Sequence, residues 1–183
     1  TVLIVYCESS ISFEKSILDY YLPEESTQTV IQVRLSHQTK QVSENEWRCD
    51  RNDLQGFETC LQGYDSIDGL YFISLCHGEK QPMDFNALAD SQQNNEIQLL
   101  RLIKWFQQSD TIHNPLDCTI ITQDNYRIKD THINPYGGGI TGLTYAIAQG
   151  DHRFSVRNID ISAEDLVDPG KRDALFRHIL NEA

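Results

Sequence analysis

Apolar side chains follow two different spacings along this chain, and the two spacings alternate from one end to the other. Continuous or every-second-residue runs are typical of strands, and spacings of three to four residues are typical of helices. The first run, residues 2–6, is apolar throughout, which indicates a strand buried on both faces. Further strands are predicted at residues 29–35, 68–75, 116–122 and 154–161, with a weaker strand or hairpin at 46–49. Residues 125–128 either extend the strand before them or pair with it.

Helical spacing fills the intervals between these strands. Ser10 or Ser12 can cap a helix that runs to residue 22, where Pro23 ends it. A short helix is predicted over residues 52–61, a polar loop over 77–90, and the strongest helix over 95–109. The core stripe of that strongest helix consists of Leu99, Leu102, Ile103 and Phe106, broadened by Ile97, Leu100 and Trp105.

The segment 133–162 is the unit around which the chain is organised, because it combines a glycine-rich turn, a helix and a strand. The helix ends at Gly150 and Asp151, and the strand runs to Asp160. Ser162 and Asp165 resemble a capping box, and a last helix follows Pro169-Gly170. The apolar face of the first helix is formed by Ile140, Leu143, Ala146 and Ile147, and that of the last by Leu175, Phe176, Ile179 and Leu180.

Strands that alternate with helices predict right-handed βαβ units. The fold class is therefore α/β, with a mostly parallel sheet covered by helices on both faces. Residues 1–183 contain no linker-like segment or repeat, so they are predicted to form one domain. Because the first strand begins directly after Thr1, the sequence is interpreted as a piece of a longer protein or a chain without its initiator methionine.

The net charge and the cysteine pattern narrow the range of possible partners, metal sites and cellular locations. A net charge of −12 disfavours nucleic acid and anionic membranes as partners, since both need a basic surface. There is no apolar run near 18 residues and no signal-peptide pattern. The five cysteines, at positions 7, 49, 60, 76 and 118, have no zinc spacing and are predicted to be reduced thiols of a cytoplasmic protein. No metal site is predicted.

Three glycines in the organising unit match a dinucleotide-binding pattern. Gly137, Gly139 and Gly142 spell GxGxxG, and Asp160 follows at about the distance of a ribose-binding carboxylate. The fingerprint requires these glycines directly after a buried strand. Here Pro135 and polar residues precede them, and the first strand continues Cys7-Glu8-Ser9-Ser10 without a glycine. We therefore predict no cofactor site and interpret the glycines as allowing a tight turn and close packing.

The sequence lacks the residue patterns of reductase and hydrolase chemistry. Short-chain reductases use a tyrosine with a lysine four residues later, and none of the eight tyrosines has one. The pair Cys76-His77 after a strand suggests a Cys/His hydrolase, but adjacent strand residues point to opposite faces. Cys118, the other candidate nucleophile, is predicted to be buried in a strand. No catalytic residue is assigned.

Several segments, taken in order, resemble a known family. Pro135-Tyr136 followed by small residues, Gly142-Leu143, a short helix and Arg157-Asn158-Ile159-Asp160 are similar to the last helix-strand unit of the structural subdomain in ketoreductases of modular polyketide synthases, especially the trans-acyltransferase branch. The strand at residues 70–75, the helix start at 99–103 and the strand at 116–123 resemble the preceding elements.

The resemblance implies a truncated Rossmann-like fold that binds no cofactor and stabilises or positions a neighbouring synthase domain. That neighbour would be a catalytic ketoreductase half, a methyltransferase, a dehydratase or an enoylreductase. The glycine-rich 137–139 and the polar residues 149–152 depart from the family pattern and favour a split or pseudo-ketoreductase. Two alternatives stay open: an NAD(P)-dependent ketoreductase with an unrecognised cofactor site, and a Cys/His hydrolase.

Overall fold

A single sheet runs through the molecule. The computed structural model describes residues 1–7, 17–21, 28–74, 85–126 and 133–181. Within them, seven strands form one sheet in the order β3-β4-β2-β1-β5-β6-β7, in which only β3 and β4 are antiparallel neighbours. The strands are β1 (Val2–Cys7), β2 (Val30–Ser36), β3 (Lys40–Ser43), β4 (Glu46–Asp50), β5 (Gly69–Ser74), β6 (Leu116–Gln123) and β7 (Phe154–Ile161).

Helices lie on both sides of this sheet. They are α1 (Gly56–Leu61), α2 (Phe85–Asn94), α3 (Glu96–Gln108), α4 (Gly138–Gly150), α5 (Ala163–Val167) and α6 (Pro169–Asn181), with a further helical turn at residues 17–21. We call the side packed against α1, α3 and α4 the first face, and the side packed against residues 17–21 and α6 the second face. The predicted α/β, mostly parallel, Rossmann-like architecture is confirmed.

Each face has its own apolar core because side chains alternate along the strands. On the first face, Leu3, Val33 and Phe72 pack against Leu99, Leu102 and Phe106 of α3. On the second face, Ile4, Ile73 and Ile121 pack against Ile17 and, from α6, Phe176, Ile179 and Leu180. The inward-facing stripes predicted for α3 and α6 are thus confirmed.

One prediction next to α3 is wrong. Residues 85–90 belong to helix α2 rather than to a loop, and residues 77–84 lie outside the described ranges. None of the residues of α2 is buried, and six of the ten are polar. The predicted helix over 95–109 is confirmed, since α3 spans Glu96–Gln108 with Asn95 and Ser109 as its caps. The side-chain amide of Asn95 donates to the Ser91 carbonyl at 2.8 Å, and its oxygen accepts from the Ser74 hydroxyl at 2.8 Å.

The predicted start of α1 at Asn52-Asp53 is also wrong. The carboxylate of Asp50 accepts from the backbone N–H of Asn52 at 2.9 Å, and that of Asp53 accepts from Gln55 at 3.0 Å. These contacts hold two successive turns, so the helix begins only at Gly56.

Smaller corrections concern β6 and α4. Strand β6 ends at Gln123 because Asp124 adopts a positive φ of 53°, so residues 125 and 126 do not extend it. In α4, Ala146 is exposed and Thr144 is buried in its place, donating its hydroxyl to the Ile140 carbonyl at 2.8 Å. Ser162 caps α5 as expected, although its hydroxyl accepts from the N–H of Glu164 rather than of Asp165. Of the predicted first helix, only residues 17–21 are described.

Candidate functional site

The carboxyl edge of the parallel strands is where ligands bind in sheets of this type. In the described residues, this edge brings together the end of β5, the end of β6, the end of β7 and the start of α4. Four of the sequence-predicted candidates lie on or near it: Gly137, Gly139, Gly142 and Asp160.

Asp160 is fully occupied by the protein itself. Its carboxylate accepts the Thr122 hydroxyl at 2.8 Å and the backbone N–H groups of Asn125 at 3.0 Å and Tyr126 at 2.9 Å. These three bonds fasten the turn after β6 to the neighbouring strand β7. Asp160 therefore holds the backbone of the edge in place, and its position on the outermost strand puts it two strands away from β5.

The three glycines have three different environments. Gly137 caps α4 with a φ of 85°, a left-handed conformation that a residue with a side chain adopts only at a cost. At Gly139, a Cβ atom would lie 2.9 Å from the Glu96 carboxylate. The predicted tight turn and close packing are thus confirmed for these two, whereas Gly142 faces open space and the interpretation is wrong there.

The carboxylate of Glu96 lies at the N-terminal end of α4. Glu96, the first residue of α3, accepts the backbone N–H of Gly139 at 3.2 Å with one oxygen. Burial raises the pKa of this carboxyl group, and its hydrogen bonds to the backbone oppose the rise. The other Glu96 oxygen is buried without a hydrogen-bond partner in the described residues. The helix end that could attract an external anion is therefore already neutralised from within.

The GxGxxG glycines therefore do not lie where a dinucleotide fingerprint requires them. The glycines do not follow a strand directly, because residues 124–136 lie between β6 and α4. In this topology the strand order reverses between β1 and β5, which is where a dinucleotide binds. The segments that follow these two strands, residues 8–16 and 75–84, lie outside the described residues.

Two tyrosines lie near this edge, Tyr126 after β6 and Tyr136 before α4. The residue four positions after Tyr136 is Ile140, whose side chain is 0% exposed and part of the first-face core. A lysine at that position would have to place its ammonium group among apolar side chains. The position after Tyr126 that would carry the lysine, Asp130, lies outside the described residues.

The hydrolase candidates are not brought together. Cys118 is the third residue of β6 and is buried as predicted, and burial raises the pKa of its thiol, which disfavours the thiolate nucleophile. Cys76 and His77 lie outside the described residues. Among the described side chains, no group of three or more His, Cys, Asp and Glu is placed to hold a metal ion. No helix of the described part is long and apolar enough to cross a membrane.

Sequence reasoning missed a groove on the outside of the first face, between α1 and α3. It has a volume of about 360 Å³ and is lined by Leu54, Phe57, Ile97, Leu100, Lys104 and Trp105. Leu54 is 80% exposed and Leu100 36% exposed. The apolar surface of α3 thus extends into this groove through Ile97, Leu100 and Trp105. The signal in the sequence was an apolar arc on α3 that is wider than one core stripe needs.

No protein-family model and no curated protein sequence matches this chain. Solved structures match its fold. One is the adenylation, ketoreductase and pseudo Asub multidomain structure of a keto acid-selecting NRPS module, with a TM-score of 0.75 and 15% identity over 97% of this chain and 15% of that one. A second is an N-terminal ketoreductase from the macrolactin assembly line, with a TM-score of 0.63 and 10% identity over 88% of this chain and 32% of that one.

A third is a short-chain dehydrogenase/reductase from Serratia marcescens, with a TM-score of 0.65 and 12% identity over 99% of this chain and 88% of that one. The chain thus spans well under half the length of the two assembly-line proteins. Identities this low establish the fold alone. From fold, sheet order and these matches together, the chain has the Rossmann-like fold of ketoreductase and short-chain dehydrogenase domains.

Proposed function

We propose that this chain is a noncatalytic structural subdomain of a ketoreductase in a multidomain synthase, of the split or pseudo-ketoreductase kind. Its role is to stabilise or position an adjacent catalytic domain. The observation that carries the proposal is the start of α4, where Tyr136 is followed by three glycines and the buried Ile140, and where Glu96 occupies the helix end. That arrangement supplies neither the tyrosine-lysine pair nor a free anion-binding helix end.

The groove between α1 and α3 supports a docking role. Leu54 is 80% exposed. When a partner covers such a side chain, the complex is stabilised by about 25 cal/mol for each Å² of apolar area buried. Leu100 and Trp105 continue the same apolar surface on α3. We therefore assign this groove to the contact with the neighbouring domain.

The ketoreductase-containing neighbours support the same reading, since this chain aligns with only a part of each. By analogy, the partner is another domain of the same synthase: a catalytic ketoreductase half, a methyltransferase, a dehydratase or an enoylreductase. The proposed setting is the cytoplasm.

The proposal is tested by producing this chain and the domain that adjoins it in the parent reading frame as separate proteins. A complex and a rise in the melting temperature of the partner are expected. Leu100→Glu should abolish both, because it replaces an apolar contact of the groove by a carboxylate that the partner would have to desolvate, while the chain itself keeps its fold. Glu58→Gln at the groove margin serves as the control and should leave the complex intact. A partner whose stability and elution are unchanged by the wild-type chain contradicts the proposal.

One observation favours a second candidate, an NAD(P)-dependent reductase domain. The Serratia short-chain dehydrogenase/reductase aligns with 99% of this chain while being covered over 88% of its own length. A titration with NADPH separates the two candidates, because only the reductase would bind it.

A further inference from the structure

No helix of the described residues packs on the second face over β3, β4 and the end of β2, and we call this part open; Val30, at the start of β2, belongs to the second-face core. The connection from β2 to β4 is made by strand β3 instead of a helix, although right-handed crossovers would place a helix on this face. Elsewhere on the second face, residues 17–21 and α6 cover the sheet. Within the described residues, the open part is covered by no helix.

Three cations lie in one row across this open part. Val33 and Leu35 of β2, and Cys49 of β4, point into the first-face core, so Arg34 and Arg48 point to the second face. Arg34 and Arg48 are register partners, and Arg48 is in turn opposite Lys40 of β3. Neighbouring strands lie about 4.8 Å apart, so the row extends over roughly 10 Å. We call these three residues the basic row.

The basic row is not neutralised by the chain. In the described residues, none of the three side chains forms an ion pair or a hydrogen bond with another protein group. The Nε atoms of Arg34 and Arg48 are buried without a partner. Like charges at directly opposite positions of a sheet are destabilising, so the row carries a cost that an external anion would relieve.

The surrounding charges make the row a distinct feature. On β4, Glu46 and Asp50 lie two positions on either side of Arg48 and share its face. Asp50 is engaged in the turn that leads to α1, through its bond with Asn52. The whole chain has a net charge of −12, so an acidic partner is repelled by most of the surface and attracted at this row.

We propose that the basic row is the docking site for an acidic helix of a partner protein, which takes the place of the missing crossover helix. Carboxylates three or four residues apart on one helix face recur every 5–6 Å or so, close to the spacing of the cations across the strands. The contact is electrostatic, because the open face offers polar side chains rather than an apolar surface. This site lies on the opposite side of the sheet from the groove between α1 and α3 and does not depend on the proposed function.

The test uses the full chain and a synthetic, fluorescently labelled alanine-rich helical peptide with glutamates three and four residues apart on one face. Fluorescence anisotropy should show saturable binding at about 20 mM salt that weakens strongly near 200 mM. The double variant Arg34→Gln/Arg48→Gln should weaken binding about five- to twentyfold, as expected for losing two half-buried charge pairs. The single variant Lys40→Gln, at an exposed edge position, should weaken it about two- to fivefold without any risk to folding.

Two controls give the test its specificity. Lys104→Gln/Arg177→Gln removes the same charge from other exposed positions and should change affinity by less than about twofold. The same peptide with glutamine for every glutamate should not bind. The proposal is overturned if the glutamate peptide shows no saturable binding, if the control variant weakens binding as much as the basic-row variants, or if duplex DNA or anionic vesicles bind the row more tightly than the peptide does. Groove variants such as Leu100→Glu should leave peptide binding unchanged.

Discussion

The carboxylate of Glu96 accepts the backbone N–H of Gly139 at 3.2 Å, and this bond joins the first turn of α3 to the first turn of α4. The close approach requires glycine at position 139, since a Cβ there would overlap the carboxylate. The helix end that begins with Gly137 is thereby closed to external anions by a side chain of the same chain. The noncatalytic proposal rests on Ile140, which is buried at the position where a reductase lysine would follow Tyr136.

The first prediction concerns the pH dependence of stability. Burial raises the pKa of Glu96 in the folded chain, so the folded state binds this proton more tightly than the unfolded state. The Glu96 contribution to stability therefore falls as pH rises from about 4 upward, through the raised folded pKa. Glu96→Gln removes this term. In urea unfolding, the free energy of unfolding of the variant relative to wild type should rise by a few tenths to about 1 kcal/mol between about pH 4 and 7. This range is reduced because the side chain is partly exposed.

Glu58→Gln removes the same charge from an exposed first-turn glutamate of α1 and is the matched control. A constant difference between Glu96→Gln and wild type at every pH would contradict the assigned burial of Glu96.

The second prediction tests Asp160 as a structural residue. Asp160→Asn replaces one acceptor oxygen by an amide donor, which must face one of the backbone N–H groups now bound. We expect a loss of about 1–3 kcal/mol in the free energy of unfolding. Asp117→Asn, on the exposed side of β6, should change it by less than about 0.5 kcal/mol. If the two variants are equally stable, the hydrogen bonds to Asp160 do not hold the edge.

The third prediction contrasts two glycines. At Gly56, the buried first residue of α1, a Cβ would lie 2.7 Å from the Cys49 sulfur. Gly56→Ala should therefore destabilise the fold by about 1–3 kcal/mol. At Gly142, inside α4 with open space around it, Gly142→Ala should stabilise by about 0.5–1 kcal/mol. Thermal melts of both variants check this, and a stabilising Gly56→Ala would contradict the packing of α1 on β4.

Much of the architecture could be predicted because continuous apolar runs mark strands buried on both faces. β1, β2, β5 and β6 lie within one or two residues of their predicted bounds. The strand or hairpin predicted at 46–49 is strand β4, whereas its antiparallel neighbour β3 was missed because its four residues are all exposed and leave no apolar pattern. Helix α2 was missed because six of its ten residues are polar and none is buried.

The candidate site was less predictable because it depends on contacts between distant segments. A carboxylate at position 160 was visible in the sequence, but its bonds to Asn125 and Tyr126 depend on the positive φ of Asp124. The contact between Glu96 and Gly139 joins two crossover helices that are 43 residues apart in sequence. No local pattern specifies such a pair.

The most direct test of the noncatalytic account is a fluorescence titration of this chain with NADPH, beside an active short-chain reductase as a positive control. The account predicts no saturable change in NADPH fluorescence at micromolar concentrations, because the chain lacks the tyrosine-lysine pair and its first strand continues Cys7-Glu8-Ser9-Ser10 without a glycine. Glu96→Gln should behave in the same way. Saturable binding in the micromolar range would contradict the account and assign the chain to the NAD(P)-dependent reductases.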